Sequence, residues 1–255
     1  MSENTTERVN FYIEYPAWDV ATRIFHWINA LLVFSLIALG IAIMNAGKFG
    51  ISPEGKILLK SVHVYVGYAF ILNLIWRIMW GFAGNRYARW KTVLPMGKGY
   101  LTDLKTYIKN LFSDHPVHYL GHNPAARLMI GIMYLFLVLQ AISGLILAGT
   151  DLYFPPLGHE IKEYVAGAGE DHSKIVNVKP GSKESIDEEA YKKMREARAP
   201  FIETHEILFY LLTIAIVIHL IGVAFTEIRE KNAIVSAMIT GKKFFNTRPA
   251  DLDRE

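Results

Sequence analysis

Residues 24–44 read IFHWINALLVFSLIALGIAIM, and this run of 21 residues without a charged side chain decides the fold. Two similar runs follow at residues 128–150 and 207–226, with 23 and 20 residues. Since an α-helix rises about 1.5 Å per residue, each run is long enough to cross a hydrocarbon core of about 30 Å. The sequence therefore predicts three membrane-spanning helices from these runs alone.

A fourth helix is predicted from residues 61–76, which carry no charge, and from residues 78–85 beyond Arg77. Arg77 fits such a helix if it faces the protein interior or reaches the membrane interface. Because backbone groups in lipid must be satisfied internally, the four segments are expected to pack as helices. The predicted fold is an all-α four-helix membrane bundle, with helices at about 23–45, 60–83, 125–150 and 202–228 and an outer loop at 151–201. Asn123 and Pro124 are typical of a cap and first turn for the third helix.

Charge in the remaining segments predicts the topology. Residues 83–125 and the tail from 228 each carry six Lys or Arg, whereas residues 150–200 carry ten acids against eight bases. The positive-inside rule then puts the 1–22 tail and the 229–255 segment in the cytoplasm and the long loop outside. Residues 1–22 lack the features of a signal peptide, and residues 229–243 are expected to form a short amphipathic helix on the cytoplasmic membrane surface.

The composition excludes several classes of protein. With 52% hydrophobic and 20% charged residues, the chain is too apolar for an ordinary soluble enzyme. It contains no cysteine, which excludes disulfides, iron–sulfur clusters, thiolate zinc sites and covalently attached haem. The basic residues lie between apolar runs, so the pI of about 8.9 reflects membrane topology and not nucleic-acid binding.

Four histidines lie in or beside the predicted helices: His26, His63, His205 and His219. With alternating helix direction, His26 and His219 lie near the cytoplasmic side, and His63 and His205 near the outer side. His205 and His219 are 14 residues apart, which is roughly 21 Å along a helix and only some 40° off the same face. Two imidazoles from different helices can hold a haem iron between them. The sequence predicts two b haems, one on the pair His26–His219 and one on the pair His63–His205.

Further side chains are predicted to contact these haems. Arg77 lies 14 residues after His63, and Arg23 lies three residues before His26, so both could pair with a haem propionate near the cytoplasmic side. Gly67 and Gly222 follow a histidine by four and three residues, where a ring must approach the backbone.

The four histidines could have other roles. A single membrane histidine is as often a hydrogen-bonded helix contact as a ligand. A zinc site needs three or four ligands at one depth, and a proton relay usually brings Asp or Glu into the membrane, where the four apolar cores have none. His115, His118 and His122 have a spacing that could bind a metal in the cytoplasmic loop, although Pro116 and Gly121 interrupt it.

Five stretches carry a resemblance to a known family: Arg23-Ile-Phe-His26-Trp27, His63 with Gly67 and Arg77, Gly84-Asn-Arg-Tyr87, Gly121-His-Asn-Pro124, and His205 through His219 to Arg229-Glu-Lys. The sequence resembles the cytochrome b subunits of membrane-bound nickel–iron uptake hydrogenases, in the wider group that includes the gamma subunit of respiratory formate dehydrogenase. The four histidines alone fit either branch, and the Gly-Asn-Arg-Tyr and Gly-His-Asn-Pro stretches favour the hydrogenase branch.

The resemblance implies a dihaem subunit in the bacterial inner membrane that anchors a periplasm-facing hydrogenase. Electrons would pass from the iron–sulfur small subunit, in direct contact on the outer side, across the membrane to quinone. The large subunit would hold the nickel–iron centre, so this chain would have no hydrogenase active site. Residues expected near the quinone, close to the cytoplasmic side, are Trp27, Asn29, Tyr87 and His122. The outer loop at residues 154–200 is longer than expected for the family.

Two alternatives stay open at this point. A dihaem cytochrome of another complex, such as formate dehydrogenase or a cytochrome b561-type oxidoreductase, would have the same haem spectrum and a different partner. A haem-free four-helix transporter or assembly factor would have no visible absorbance.

Overall fold

A computed structural model of the protein describes residues 12–111, 113, 117–167, 172–230 and 232–253. Most of them are helical. The elements in chain order are β1 (Ile13–Pro16), α1 (Val20–Met44), α2 (Pro53–Ala83), α3 (Trp90–Val93), α4 (Tyr100–Asn110), α5 (Pro124–Leu152), α6 (Gly158–Val165), a 3₁₀ turn (His172–Asn177), α7 (Glu188–Glu230), α8 (Ile234–Thr240) and β2 (Lys242–Phe245).

Four helices, α1, α2, α5 and α7, are long and apolar enough to cross a membrane. Their apolar side chains are largely exposed on the protein, as shown by Leu31, Leu72 and Ile218, which are 69%, 68% and 53% exposed. Such surfaces are stable when lipid covers them. The prediction of a helical, multi-pass membrane protein with four spanning segments is confirmed.

Two of the four helices, α2 and α7, begin well before their predicted starts at about residues 60 and 202. Helix α2 begins at Pro53, where the Ser52 hydroxyl accepts a hydrogen bond from the Gly55 N–H at 3.1 Å. Helix α7 begins at Glu188, where the Asp187 carboxylate accepts one from the Ala190 N–H at 2.8 Å, and it continues through Pro200. A search for uncharged runs does not detect a charged first turn. Capping and not hydropathy sets the starts of α2 and α7. Helix α5 begins at Pro124 with Asn123 as its cap, as predicted: its Oδ1 accepts from the Ala126 N–H at 2.8 Å.

The chain forms two compact units. Unit 1 comprises Met1–His26, Arg77–Ile132 and Ile216–Glu255, and unit 2 comprises Trp27–Trp76 and Met133–Ala215. The boundaries fall within the four long helices, so each histidine pair predicted from the sequence belongs to a single unit. His26 and His219 are in unit 1, and His63 and His205 are in unit 2.

Unit 1 contains a small antiparallel sheet that the sequence did not predict. Strand β1 pairs with β2 so that Tyr15 lies opposite Lys243. The sheet packs on a buried cluster formed by Ala17, Trp18, Leu120, Ala237 and Phe245. A single amphipathic helix over residues 229–243 was therefore wrong in its extent. Helix α7 ends at Glu230, and α8 ends at Thr240, where the left-handed φ of 83° at Gly241 stops the helix before the strand begins.

The segment of unit 2 that connects α5 and α7 has a hydrophobic core of its own. Helix α6, the 3₁₀ turn and the start of α7 enclose Val165, Ala166, Val178 and Met194. The Asp187 N–H donates to the Val165 carbonyl at 2.8 Å. Asp151, at the end of α5, accepts hydrogen bonds from Lys60 of α2 and from Arg198 of α7. The long loop expected at residues 151–201 is thus a small folded segment held to three long helices.

Candidate functional site

In unit 2 the structure brings the rings of His63 and His205 together. Helices α2 and α7 place the two ring centres 6.3 Å apart, with an angle of 71° between the ring planes. A metal ion binds an imidazole nitrogen at about 2 Å, so two rings that share one ion have centres roughly 6 Å apart. The spacing of this pair therefore suits one metal ion held by both histidines.

Two polar residues of α5 fix the protonation of His205. The Ser143 hydroxyl donates to the Leu139 carbonyl at 2.9 Å, which leaves its oxygen to accept from His205 Nδ1–H, also at 2.9 Å. On the other side of the ring, the Gln140 amide nitrogen lies 3.1 Å from His205 Nε2 and donates to it. Nε2 then carries the lone pair, which accepts the hydrogen bond from Gln140, and a metal ion bound at Nε2 would replace that hydrogen bond.

Ser143 and Gln140 are functional residues that the sequence reading missed. Their signal was nevertheless present, because polar side chains in an otherwise apolar membrane helix are costly without a partner. They are three residues apart and so share a helix face. A search for polar residues on one face of the third apolar run would have found them.

Glycines lie beside this histidine pair. A Cβ atom added to Gly144 would lie 3.3 Å from His205 Cε1, and one added to Gly40 would lie 4.0 Å from His63 Cε1. Neither was predicted from the sequence. At Gly67, which was predicted, an added Cβ would meet no atom within 4 Å. Open space next to the helix, four residues beyond His63, is what a flat porphyrin needs in order to lie against the backbone.

His26 lies on α1 and His219 lies on α7, and both belong to unit 1. Both side chains are half-buried. An added Cβ at Gly222, three residues beyond His219, would again meet no atom within 4 Å. Gly222 thus leaves open space along α7 beside His219, as Gly67 does along α2 beside His63.

The two arginines predicted to bind propionates both lie in unit 1. Arg77 is only 3% exposed; one nitrogen donates to the Ala88 carbonyl at 3.0 Å, and its guanidinium lies 4.7 Å from the Trp90 ring and 5.9 Å from the Phe25 ring. Arg23 donates through Nη1 to the Ile239 carbonyl. Its buried Nε has no hydrogen-bond partner among the residues that the structure describes. Arg77 is buried and Arg23 is half-buried, and both belong to the unit that holds His26 and His219.

His122 adds a neutral imidazole to this cationic region. Its ring centre lies 4.6 Å from that of Trp18. Burial, together with the nearby charges of Lys243, Arg77 and Arg127, lowers the pKa of His122 to about 3, so the ring is neutral at pH 7. Burial also lowers the pKa of Lys243 to about 8, against the opposing effects of Asp251 and of two glutamates.

The residues predicted near a quinone divide between the units. Tyr87 and His122 lie in unit 1, and Trp27 and Asn29 lie in unit 2. Tyr87 packs against Gly121, the residue before His122, and burial raises its pKa. Trp27 is 49% exposed, and Asn29 has a buried Oδ1 that no described residue contacts by a hydrogen bond.

The spacing of His115, His118 and His122 receives no structural support as a metal site. His115 lies outside the described residues. His118 Nδ1 lies 3.5 Å from a carboxylate oxygen of Glu230. Within the described ranges, no group of three or more His, Asp or Glu side chains has the geometry to hold a metal ion.

Four membrane-length helices, three of which carry histidines, are typical of membrane-bound b-type cytochromes. The model of the family described as "Prokaryotic cytochrome b561" matches residues 17–241, and the chain belongs to this family. Membership implies b-type haem.

Curated relatives carry a more specific name. A protein of Rhizobium leguminosarum bv. viciae named "Probable Ni/Fe-hydrogenase B-type cytochrome subunit" is 24% identical over 96% of this chain and 94% of its own length. A protein of the same name from Rhodobacter capsulatus is 22% identical over 95% of this chain and 85% of its length. The "Probable Ni/Fe-hydrogenase 1 B-type cytochrome subunit" of Escherichia coli K12 is 27% identical over 56% of this chain and 63% of its length. No solved structure matches the chain.

Proposed function

We propose that this chain is the dihaem cytochrome b subunit of a membrane-bound nickel–iron hydrogenase and that it conducts electrons across the membrane to quinone. Three observations support the proposal: the family, the names of relatives aligned over most of the chain, and two histidine pairs on membrane-spanning helices. Bacterial cytoplasmic membrane is the proposed location, with both termini on the cytoplasmic side because the basic segments lie there.

The observation that carries the proposal is the geometry of His63 and His205. Their ring centres lie 6.3 Å apart, and the hydrogen bond from His205 Nδ1–H to Ser143 leaves the lone pair on Nε2, where the iron would replace the hydrogen bond from Gln140. Imidazole nitrogens with a free lone pair, one from each side, are the axial ligands of b-type haem. We assign His63 and His205 to one haem and His26 and His219 to the other.

Bound haem supplies one-electron chemistry by cycling its iron between the ferric and ferrous states. The chain's own residues hold and orient it. Ser143 keeps the His205 ring in one tautomer and one orientation, as outer-shell partners of metal ligands do. Arg23 and Arg77 supply positive charge for the propionates on the His26–His219 side. Gly67 and Gly222 leave the backbone surface open to the porphyrin edge.

The proposal extends to the partner proteins and to quinone. The outer face of the chain would contact the iron–sulfur small subunit, and through it the large subunit that holds the nickel–iron centre. Quinone would bind near the cytoplasmic side, where Trp27, Asn29, Tyr87 and His122 are the candidate neighbours. Since His122 is neutral at pH 7, it can donate or accept a hydrogen bond at a quinone oxygen without a charge change.

The test is to purify the chain with its partners from native membranes in mild detergent. The hydrogenase small and large subunits should co-purify, hydrogen should reduce the b-haem absorbance, and added quinone should then reoxidise it. Hydrogen-driven reduction should fail in the variant His205→Ala and persist in His159→Ala, which changes an exposed histidine outside both pairs. Co-purification with a formate dehydrogenase, or reduction by formate and not by hydrogen, would assign the chain to another complex.

A further inference from the structure

Helix α4 is attached to the ends of two membrane-spanning helices. The Tyr100 hydroxyl donates to the carbonyl of Pro124, the first residue of α5, at 2.9 Å. The Tyr107 hydroxyl donates to a carboxylate oxygen of Glu230, the last residue of α7, at 3.2 Å. Both tyrosines are buried. Tyr100 and Tyr107 are seven residues apart, which is about 10.5 Å along α4. This length is close to the distance between the axes of two packed helices. Helix α4 therefore lies beside the first residue of α5 and the last residue of α7.

The outward side of α4 is apolar. Leu101 is 68% exposed and Ile108 is 50% exposed. They are seven residues apart, so they lie on one face of the helix, next to the buried tyrosine face. Met96, just before the helix, is also 46% exposed. Large apolar side chains so placed indicate that something covers this face.

Polarity changes in a fixed order around the helix. At about 100° per residue, Lys105 and Lys109 follow the apolar face at roughly 40° and 80° from Leu101, and Thr102 and Thr106 follow at roughly 100° and 140°. All four polar side chains are exposed. The acidic residue of α4, Asp103, is half-buried on the protein side. The helix thus presents an apolar stripe, then a basic stripe, then a neutral polar stripe.

We propose that α4 lies in the membrane interface, with Leu101 and Ile108 in the acyl region and its lysines on anionic phospholipid headgroups. Helix α4 is hydrogen-bonded to the ends of two helices of membrane-spanning length, so the acyl chains around those helices are also next to α4. Lys91, Lys98, Lys105 and Lys109 are all exposed and match the charge of anionic headgroups. This role does not depend on the haem assignment.

The chain contains no cysteine, so single-cysteine variants can carry a spin label at chosen positions. We would label Leu101→Cys and Ile108→Cys, with Thr106→Cys as the matched control on the opposite side of α4, in the full-length protein in bilayer nanodiscs of phosphatidylcholine and phosphatidylglycerol. Labels at 101 and 108 should collide more with oxygen than with a water-soluble nickel chelate, and the label at 106 should show the reverse. Equal access of the nickel chelate to all three labels would overturn the proposal. Shielding of 101 and 108 from both reagents would indicate a protein partner and would also overturn it.

A second experiment tests the basic stripe. Binding of fluorescent phosphatidylglycerol should weaken by on the order of tenfold or more when Lys98, Lys105 and Lys109 are all changed to Gln, because each lysine near an anionic surface contributes about a fivefold preference. The control changes three other exposed lysines, Lys183, Lys192 and Lys193, to Gln in unit 2 and should leave binding unchanged. Equal losses in the two triple variants, or none in the first, would contradict a headgroup site on α4.

Discussion

The two histidine pairs differ in what surrounds them. His205 in unit 2 is held by neutral partners, the Ser143 hydroxyl and the Gln140 amide. The pair His26–His219 belongs to the unit that contains the buried cations Arg77 and Lys243. Positive charge favours the iron state with the lower charge, which is ferrous. We therefore expect the His26–His219 site to have the higher reduction potential, so that electrons that arrive at the other site move on to it.

The largest expected effect comes from removing one ligand. His63→Ala and His205→Ala should each lose the same haem, and His26→Ala and His219→Ala should each lose the other, so that each variant keeps about half of the b-haem absorbance. Low-temperature spectra and haem extraction would measure this, with His159→Ala as the control. Loss of the same spectral component in His26→Ala and His63→Ala would show that the pairing is wrong.

Ser143→Ala should weaken the haem site of unit 2 alone. Without the hydroxyl, His205 Nδ1–H loses its acceptor, and loss of such an outer-shell partner costs roughly 10–100-fold in affinity. Haem retention during dilution, followed spectroscopically, would measure it. Ser143→Thr keeps the hydroxyl and is the conservative control. A loss from both sites in equal measure would point to general destabilisation instead.

Arg77→Gln should lower the reduction potential of the haem in unit 1. Removing a buried unit charge in a medium of effective dielectric constant about 20 changes the interaction energy by on the order of 1 kcal/mol, which is roughly 40 mV for one electron. A potentiometric titration of the two haems would measure the shift, and Arg77→Lys should retain most of the wild-type potential. The prediction fails if the unit 2 haem shifts by the same amount.

Lys243 should give unit 1 a stability that rises with pH. Burial lowers its pKa from the ordinary 10.5 to about 8, so between these values the unfolded chain holds a proton that the folded chain does not. Unfolding then takes up a proton, and stability should rise by on the order of 1–3 kcal/mol from pH 8 to pH 10. Burial raises the pKa of Tyr107, and this opposing effect starts only above about pH 10.

Thermal unfolding at pH 8 and pH 10 would measure this dependence. It should disappear in Lys243→Met and persist in Lys242→Met, which changes the exposed neighbour that pairs with Glu14. A midpoint that changes with pH in the same way in wild type and in Lys243→Met would exclude Lys243 as the cause.

Features that depend on neighbouring residues could be predicted from the sequence, and contacts between residues far apart in the chain could not. The four membrane-spanning helices follow from uncharged runs. Helical periodicity, with neighbouring helices running in opposite directions, predicts the pairing of His63 with His205. Strand β2 has four residues and acquires its partner β1 from the other end of the chain, so local pattern could not reveal it. The hydrogen bond from His205 to Ser143 joins residues 62 positions apart, and the tyrosines that anchor α4 also bond to distant residues. Such contacts are properties of packing and not of periodicity.

The most direct measurement of the central claim is a count of haem per chain. A dithionite-reduced minus oxidised spectrum would be recorded for purified protein that had been supplied with haem. The haem would then be extracted and quantified. Two non-covalent b haems per chain are expected, one on His63 and His205 and one on His26 and His219. One haem per chain would contradict the dihaem assignment, and none would contradict the use of either histidine pair as haem ligands.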